Sequence, residues 1–218
     1  MNISQLVDKL IARSPFLEEA LSEGLINVSS LARNLQPELE KISGREIQTG
    51  AIIMAINRRP AGRSFKISKE IKDFMSKMGD VIVRSDLHDF TIANSAELNR
   101  CNQQLMEEVA QENDIFCTIS QGVFETTIVA STLLEKRVEA IYAREKILSR
   151  KKKLSSITIK LPEKNTEVSG IYYFLMKNLA WAGINICEVI STTNEITIVV
   201  DEKDVHDAFS ILLGVKSV

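Results

Sequence analysis

Leu105-Met106-Glu107-Glu108-Val109-Ala110 and Leu175-Met176-Lys177-Asn178-Leu179-Ala180 are one helical phrase written twice, 70 residues apart. The spacing persists downstream. Cys117 falls on Cys187, and Glu125-Thr126-Thr127-Ile128-Val129 falls on Glu195-Ile196-Thr197-Ile198-Val199. A helix and two strands kept in register without a gap imply a duplicated unit of roughly 70 residues. The repeat divides the chain into residues 1–78, 79–150 and 151–218, an unrelated N-terminal region followed by two copies of one module. Charge changes at nearly the same places: residues 1–78 carry a net +3, 79–143 a net −7, 144–153 a net +5 and 154–218 a net −3.

Each copy reads strand, helix, strand, strand, helix. In the second, Ser156-Ile157-Thr158-Ile159-Lys160-Leu161 alternates apolar and polar, as a half-buried strand does. A loop from Pro162 to Gly170 follows, with Thr166 or Ser169 as the expected cap of a helix from about Ile171 to Trp181. Gly183 is placed to end that helix in a left-handed cap. Ile184–Ile190 and Glu195–Val200 are the next two strands, joined by the turn Ser191-Thr192-Thr193-Asn194. Asp204 to Leu213 closes with an amphipathic helix, and residues 214–218 are just long enough for a stub of a fourth strand. The first copy places its opening strand within Val81–Asn94, its first helix within Ala96–Gln111, its hairpin from Ile115 to Ser131 and its second helix over Leu133–Lys146. One such copy is near the size at which a single core is marginal, so the two sheets should pair.

Several function classes are disfavoured. No 18-residue uncharged stretch exists, so a membrane-spanning helix is not expected. Cys101, Cys117 and Cys187 are odd in number and lack CxxC spacing, which fits reduced thiols in a cytoplasmic protein. His88 and His206 stand far apart, so neither a metal site nor any other cofactor is expected. No G-x-x-x-x-G-K or G-x-G-x-x-G occurs, and no histidine lies near a nucleophile in sequence. The expectation is a protein without catalytic residues, not an enzyme.

Residues 1–78 read as helices. Ile3, Leu6, Val7, Leu10 and Ile11 form an apolar stripe; Pro15 opens a second helix; Leu31, Leu35, Leu39 and Ile42 share a face of a third, ended by Gly44; a fourth runs from about Ile47 to Arg58. Short helices around a Gly-centred break resemble a helix-turn-helix or winged-helix core. Arg58, Arg59, Arg63 and Lys66 follow, and their spacing with Ser, Gly and one aromatic suits phosphate contacts. Gln48–Met54, where a recognition helix would lie, is apolar and poor in base-reading side chains. A protein-docking or dimerising helical domain is the alternative. The basic run at 150–153 has two readings as well, a phosphate contact or a solvated linker.

Gly183-Ile184-Asn185-Ile186, then Ser191-Thr192-Thr193-Asn194-Glu195-Ile196-Thr197-Ile198-Val199-Val200, then Asp204 with Ala208 occur in the order found in ACT domains. The second copy resembles that family, in particular the ACT domains of aspartate kinases, over about residues 154–216, and the repeat extends the resemblance to residues 80–143. It implies an α+β chain: two βαββαβ (ferredoxin-like) ACT domains preceded by an all-α helical domain. It also implies an amino-acid effector, bound where a β1–α1 loop meets a strand across a paired interface, and a homodimer formed through ACT sheets. Carried onto this sequence, the ligand residues are Asn165, Val168, Ser169, Gly170 and Ile171 in the loop, with Asn185, Ile186 and Glu188 on the strand. Glu188 stands near the place where the aspartate-kinase type carries an acidic residue for the ligand's ammonium. Independently, the start of the Ile171 helix offers free N–H groups and a positive dipole end, suited to a carboxylate. Gly170 lets a ligand approach the backbone. The first copy lacks a glycine in Asn94-Ser95-Ala96-Glu97-Leu98 and reads as the structural mate.

The expected function is therefore regulatory: a small-molecule sensor acting on a biosynthetic enzyme, or an amino-acid-responsive transcriptional regulator that binds DNA through residues 1–78. An aspartate-kinase-related enzyme is the reading from another class, and the missing nucleotide motifs oppose it.

Overall fold

Helix caps written into the sequence set the first unit. In the computed structural model, which describes residues 2–59, 70–112 and 114–216, the chain divides into residues 1–73 and 74–218. Helices α1 (Ile3–Ile11), α2 (Pro15–Ser22), α3 (Val28–Ser43) and α4 (Thr49–Asn57) build the first unit. Asn2 and Gln5 form a reciprocal capping box on α1, Asn27 Oδ1 accepts from Ser30 N at the start of α3, and Gly44 ends α3 at φ 68°. Leu6, Val7, Leu10 and Ile11 of α1 pack with Leu31 and Leu39 of α3 and Ile52 and Ile56 of α4. The α3–α4 turn is clamped by polar groups. Glu40 Oε1 accepts from Ile47 N (3.1 Å), Gln36 Nε2 donates to Ile47 O (3.0 Å), and Thr49 Oγ1 donates to Gln36 Oε1 (2.8 Å). The Ile47 amide, and then Gln36, hold the Glu40 carboxyl below its ordinary range.

In the second unit the order is β1 (Val81–Ala93), α5 (Leu98–Val109), β2 (Cys117–Gln121), β3 (Glu125–Ser131), α6 (Glu135–Ile141), β4 (Ile147–Lys160), α7 (Ile171–Trp181), β5 (Ile186–Ser191), β6 (Glu195–Asp201) and α8 (Val205–Val215). The strands form one antiparallel sheet in the order β2-β3-β1-β4-β6-β5. Both copies of the expected module are present, with two departures at their junction.

The first concerns the missing fourth strand. Gly214 and Val215, where the stub was expected to begin, belong to α8, and residues 217–218 lie outside the described residues. Instead β1 and β4 are long, and each serves both copies. Leu87–Ala93 of β1 pairs with β3, while Val81–Arg84 pairs with Ile159–Ser156 of β4 and closes the second copy. Reciprocally, Leu154–Lys160 of β4 pairs with β6, while its start, Ile147–Lys151, pairs with Ile92–Asp89 and closes the first. Each copy borrows its last strand from the other. The expected boundary at 150/151 falls inside β4, a strand that pairs with both copies.

The second departure concerns the basic run. Residues 150–153 are not a linker but part of β4, where their side chains remain exposed. Arg150 pairs with Glu139 (2.5 Å) and lies over the Phe90 ring at 5.1 Å, Lys152 pairs with Glu135, and Lys151 sits opposite Asp89. These partners on α6 and β1 let cationic side chains occupy a strand. α6 is accordingly shorter than the span Leu133–Lys146 expected for it.

A local two-fold relates the copies about the Leu87–Leu154 pair. Ala93 pairs with Glu125 as Lys160 pairs with Glu195, so the opening strands correspond at a shift of 67 residues rather than 70. The extra three residues lie in the loop before α7. Asp86 and Lys153, which correspond at this shift, both adopt φ 56° beside the bulges that bend β1 and β4. Leu87, Val129, Leu154 and Val199 form a buried cluster at the crossing, with Phe116, Cys187 and Ile190 against it. On the helix side, Phe90, Ile92, Leu105, Ile128, Val138 and Tyr142 form the first core. The equivalent Ile157, Ile159, Leu175, Ile198 and Leu212 are buried in the second copy.

Candidate functional site

The chain path of the second copy decides where its expected ligand residues lie. β4 runs into the loop 161–170, α7 returns, and β5 begins at the opposite end before climbing back to the turn 191–194. The loop therefore meets that turn. Asn165, buried in a 3₁₀ turn at 163–166, donates from Nδ2 to Thr193 O (3.1 Å) and to Tyr172 Oη (3.4 Å). Tyr172 Oη is also 2.8 Å from Ser191 Oγ. The Ser191 hydroxyl, and then Asn165, lower the Tyr172 pKa from its ordinary value. Asn165 Oδ1 is buried without a hydrogen-bond partner.

Gly170 occupies the N-cap of α7 at φ 90°, and no side chain caps the helix; neither Thr166 nor Ser169 does so. A side chain at that φ would be strained, which explains a glycine there. Ile171 is buried as the first core residue of α7, Val168 is half-buried and Ser169 exposed. Uncapped first-turn amides, a backbone without a Cβ and an unpartnered carbonyl oxygen thus share one end of the module.

The strand residues do not join them. Ile186 pairs with Val200 at the far end of β5, five residues from Ser191, a separation of about 17 Å. Asn185 is exposed there. Within one chain, the loop and Asn185, Ile186 and Glu188 do not line a common pocket, because the helix between them reverses the chain.

Glu188 meets a residue that sequence reasoning did not single out. Its carboxyl is within hydrogen-bonding reach of Asp89 on β1, a side chain 1% exposed whose Oδ2 is otherwise unpartnered. β1 and β5 are separated by β4 and β6, which in a flat sheet would set them about 14 Å apart. The contact therefore requires the sheet to curl, one half folding over the other. Burial raises the Asp89 pKa, with Lys151 opposing. Burial also raises that of Glu188, followed by the charge of Asp89. Two carboxyls with raised pKa values in mutual contact share a proton more readily than they both ionise. The signal in sequence was slight: a lone acid in the apolar run Leu87–Ile92. At the equivalent positions the second copy has Ser155 and Ser156 where the first has His88 and Asp89.

In the first unit, Arg58 is exposed, whereas Arg59 is held by Asp8 (2.8 Å) and Glu18 (3.3 Å) and is only 16% exposed. Arg63 and Lys66 lie outside the described residues. No group of three or more His, Cys, Asp or Glu suited to a metal ion occurs among the described residues. No described helix is long and apolar enough to cross a membrane.

This fold is similar to that of solved regulatory regions of aspartate kinases. The regulatory subunit of aspartate kinase from Thermus thermophilus matches with a TM-score of 0.52 at 13% identity, over 63% of this chain and 97% of that one. The aspartokinase alpha and beta subunits match at 0.51 and 14%, over 65% and 99%. Escherichia coli aspartokinase III, solved with aspartate and ADP, matches at 0.50 and 12%, and there the matched region is 33% of the chain. No protein-family model matches the sequence, and no curated protein sequence does. At these identities the likeness concerns the fold.

Proposed function

We propose that residues 74–218 are a regulatory module that senses a small metabolite, an amino acid, at the N-terminus of α7, and that the chain regulates rather than catalyses. The observation that carries this reading is the uncapped α7 terminus beside Asn165 Oδ1. First-turn amides supply donors to a carboxylate, and the buried carbonyl oxygen supplies an acceptor for an ammonium. The fold shared with aspartate-kinase regulatory regions supports it. A ligand there would tie the loop 161–170 more firmly to the turn 191–194 and favour one packing of the curled sheet. Strands β2 and β5 are the sheet's two edges and the surfaces through which a second copy would pair.

The partner of the first unit is proposed to be protein, an enzyme of amino-acid synthesis. DNA binding is the second reading, and Arg58 is the described residue that favours it. The ion pairs of Arg59 weigh against it.

A thermal-shift screen of the full chain against the twenty amino acids tests the sensing role. A ligand at 100 times its dissociation constant adds about 2.7 kcal/mol of stability. The shift should vanish in Gly170→Ala while a melt without ligand still shows a folded protein. No stabilisation by any amino acid would sink the reading. Phosphorylation of aspartate from ATP by the purified chain would overturn the non-catalytic part.

A further inference from the structure

Among the described residues, three that are not glycine have left-handed backbone: Asp86, Asp114 and Lys153. All three line clefts, and the two clefts are counterparts under the local two-fold. Asp86 and Ser131–Leu133 in one correspond to Lys153 and Asp201–Lys203 in the other. Left-handed Asp and Lys cost free energy that surrounding structure must offset, and such residues concentrate at functional sites. The two clefts, however, differ in chemistry.

The first measures about 540 Å³ and presents Arg84, Asp86, Asp114 and Thr132 between Val83 and Leu133. Its internal bonds use main-chain oxygens. Arg84 Nη1 donates to Asp114 O (3.2 Å), and Thr132 Oγ1 donates to Asp86 O (2.8 Å). Among the described residues neither carboxylate forms an ion pair, and neither does the guanidinium. A cation and two anions thus line one cleft without neutralising each other. Val83 and Leu133 leave apolar surface in water beside them, Leu133 being 80% exposed. The second cleft, with Lys152, Lys153, Asp201, Glu202 and Lys203, has no apolar wall, and Lys152 is committed to Glu135.

We infer that the cleft at Arg84 binds a small zwitterion with an apolar arm, at a site separate from the α7 terminus. The carboxylate takes the fork of Arg84, the geometry in which a guanidinium binds best. The ammonium takes Asp114, whose backbone already holds the Arg84 head, or Asp86 two residues along β1. The apolar arm covers Val83 and Leu133. The cleft joins the bulge of β1 to the turn leading into α6, so occupancy stiffens the point where the two copies exchange strands.

The test is an NMR titration of the ¹⁵N-labelled full chain with each of the twenty amino acids at about 10 mM, a level that reveals millimolar binding. The amino acid giving the largest shifts is then compared with its N-acetyl and carboxamide derivatives, each lacking one charge. Amides of residues 83–86, 114 and 131–133 should move with the free amino acid and not with either derivative. Arg84→Ala should weaken binding at least about tenfold, the loss expected for a bidentate charged pair, and Arg84→Lys should weaken it less. Gly170→Ala should leave these shifts unchanged. No movement of these amides with any amino acid, equal movement with a singly charged derivative, or unchanged binding in Arg84→Ala would overturn the inference. Movement confined to amides 170–174 would overturn it as well, while leaving sensing at α7 standing.

Discussion

Replacing Asp89 by Asn should stabilise the protein at neutral and higher pH and do nearly nothing in acid. In the wild type, Asp89 and Glu188 both have folded pKa values raised above their unfolded values of about 3.9 and 4.3. For an acid with a raised folded pKa, the native state holds protons that the unfolded state has released. The contribution of this pair to stability is therefore fully present below about pH 4 and is lost as pH rises through the window up to the folded pKa values. The Asp89→Asn substitution removes one buried charge and the repulsion of Glu188, and the new amide Nδ2 can donate to the Glu188 carboxylate. A hydrogen bond to a charged group contributes about 1.5–3 kcal/mol. Against this stand the loss of attraction to Lys151 and of the 3.4 Å bond from Thr91 Oγ1. A net gain of about 1 kcal/mol remains, or about 2–4 °C in Tm for a chain of this size. Thermal and urea melts of both proteins from about pH 4 to pH 8, covering the window above, would show the curves converging in acid and diverging above neutrality. If Asp89→Asn were less stable than wild type above neutrality, the refutation would be plain: Asp89 would be ionised and held by Lys151 as an ion pair.

Two more outcomes follow from packing. Leu154→Ala, at the 1% exposed crossing of the copies, should cost about 2–5 kcal/mol, and both hairpins should lose hydrogen-exchange protection together, because each copy's last strand belongs to the other. Independent loss of one hairpin would refute the shared-strand account. Arg59→Ala should lower the stability of the N-terminal helices by about 1 kcal/mol, since two carboxylates lose one common partner. It should leave any affinity for random duplex DNA unchanged; a drop comparable to that of Arg58→Ala would restore Arg59 as a phosphate contact.

Much of the second unit could be read from local pattern. Alternation marked β4 from Ser156 to Lys160, and Gly183, with φ 74°, stands where a helix end was expected. The helices of the first unit were legible for the same reason, since the apolar stripe of α1, Pro15 at the start of α2 and Gly44 at the end of α3 act within a few residues of themselves. Of the candidate site, only the loop was legible as a unit, because Gly170 and the start of α7 are consecutive in sequence. Asn185, Ile186 and Glu188 were grouped with it by resemblance, and the direction of β5 separates them.

What the sequence by itself determined is the duplication: two copies of one helix-and-hairpin phrase, with their caps, periods and turns, because those signals act over a few residues. Tertiary structure alone decided how the copies share strands. The run Ile147-Leu148-Ser149-Arg150-Lys151-Lys152-Lys153 has no strand signature of its own. It becomes one because Glu139, Glu135 and the Asp89–Glu188 pair lie where its side chains emerge. Charge that would leave the segment solvated in isolation is compensated by residues at least 11 positions away. Thus the 70-residue repeat defines the copies, and the pairing of β1 with β4 over the buried Leu87–Leu154 crossing joins them into one curled sheet.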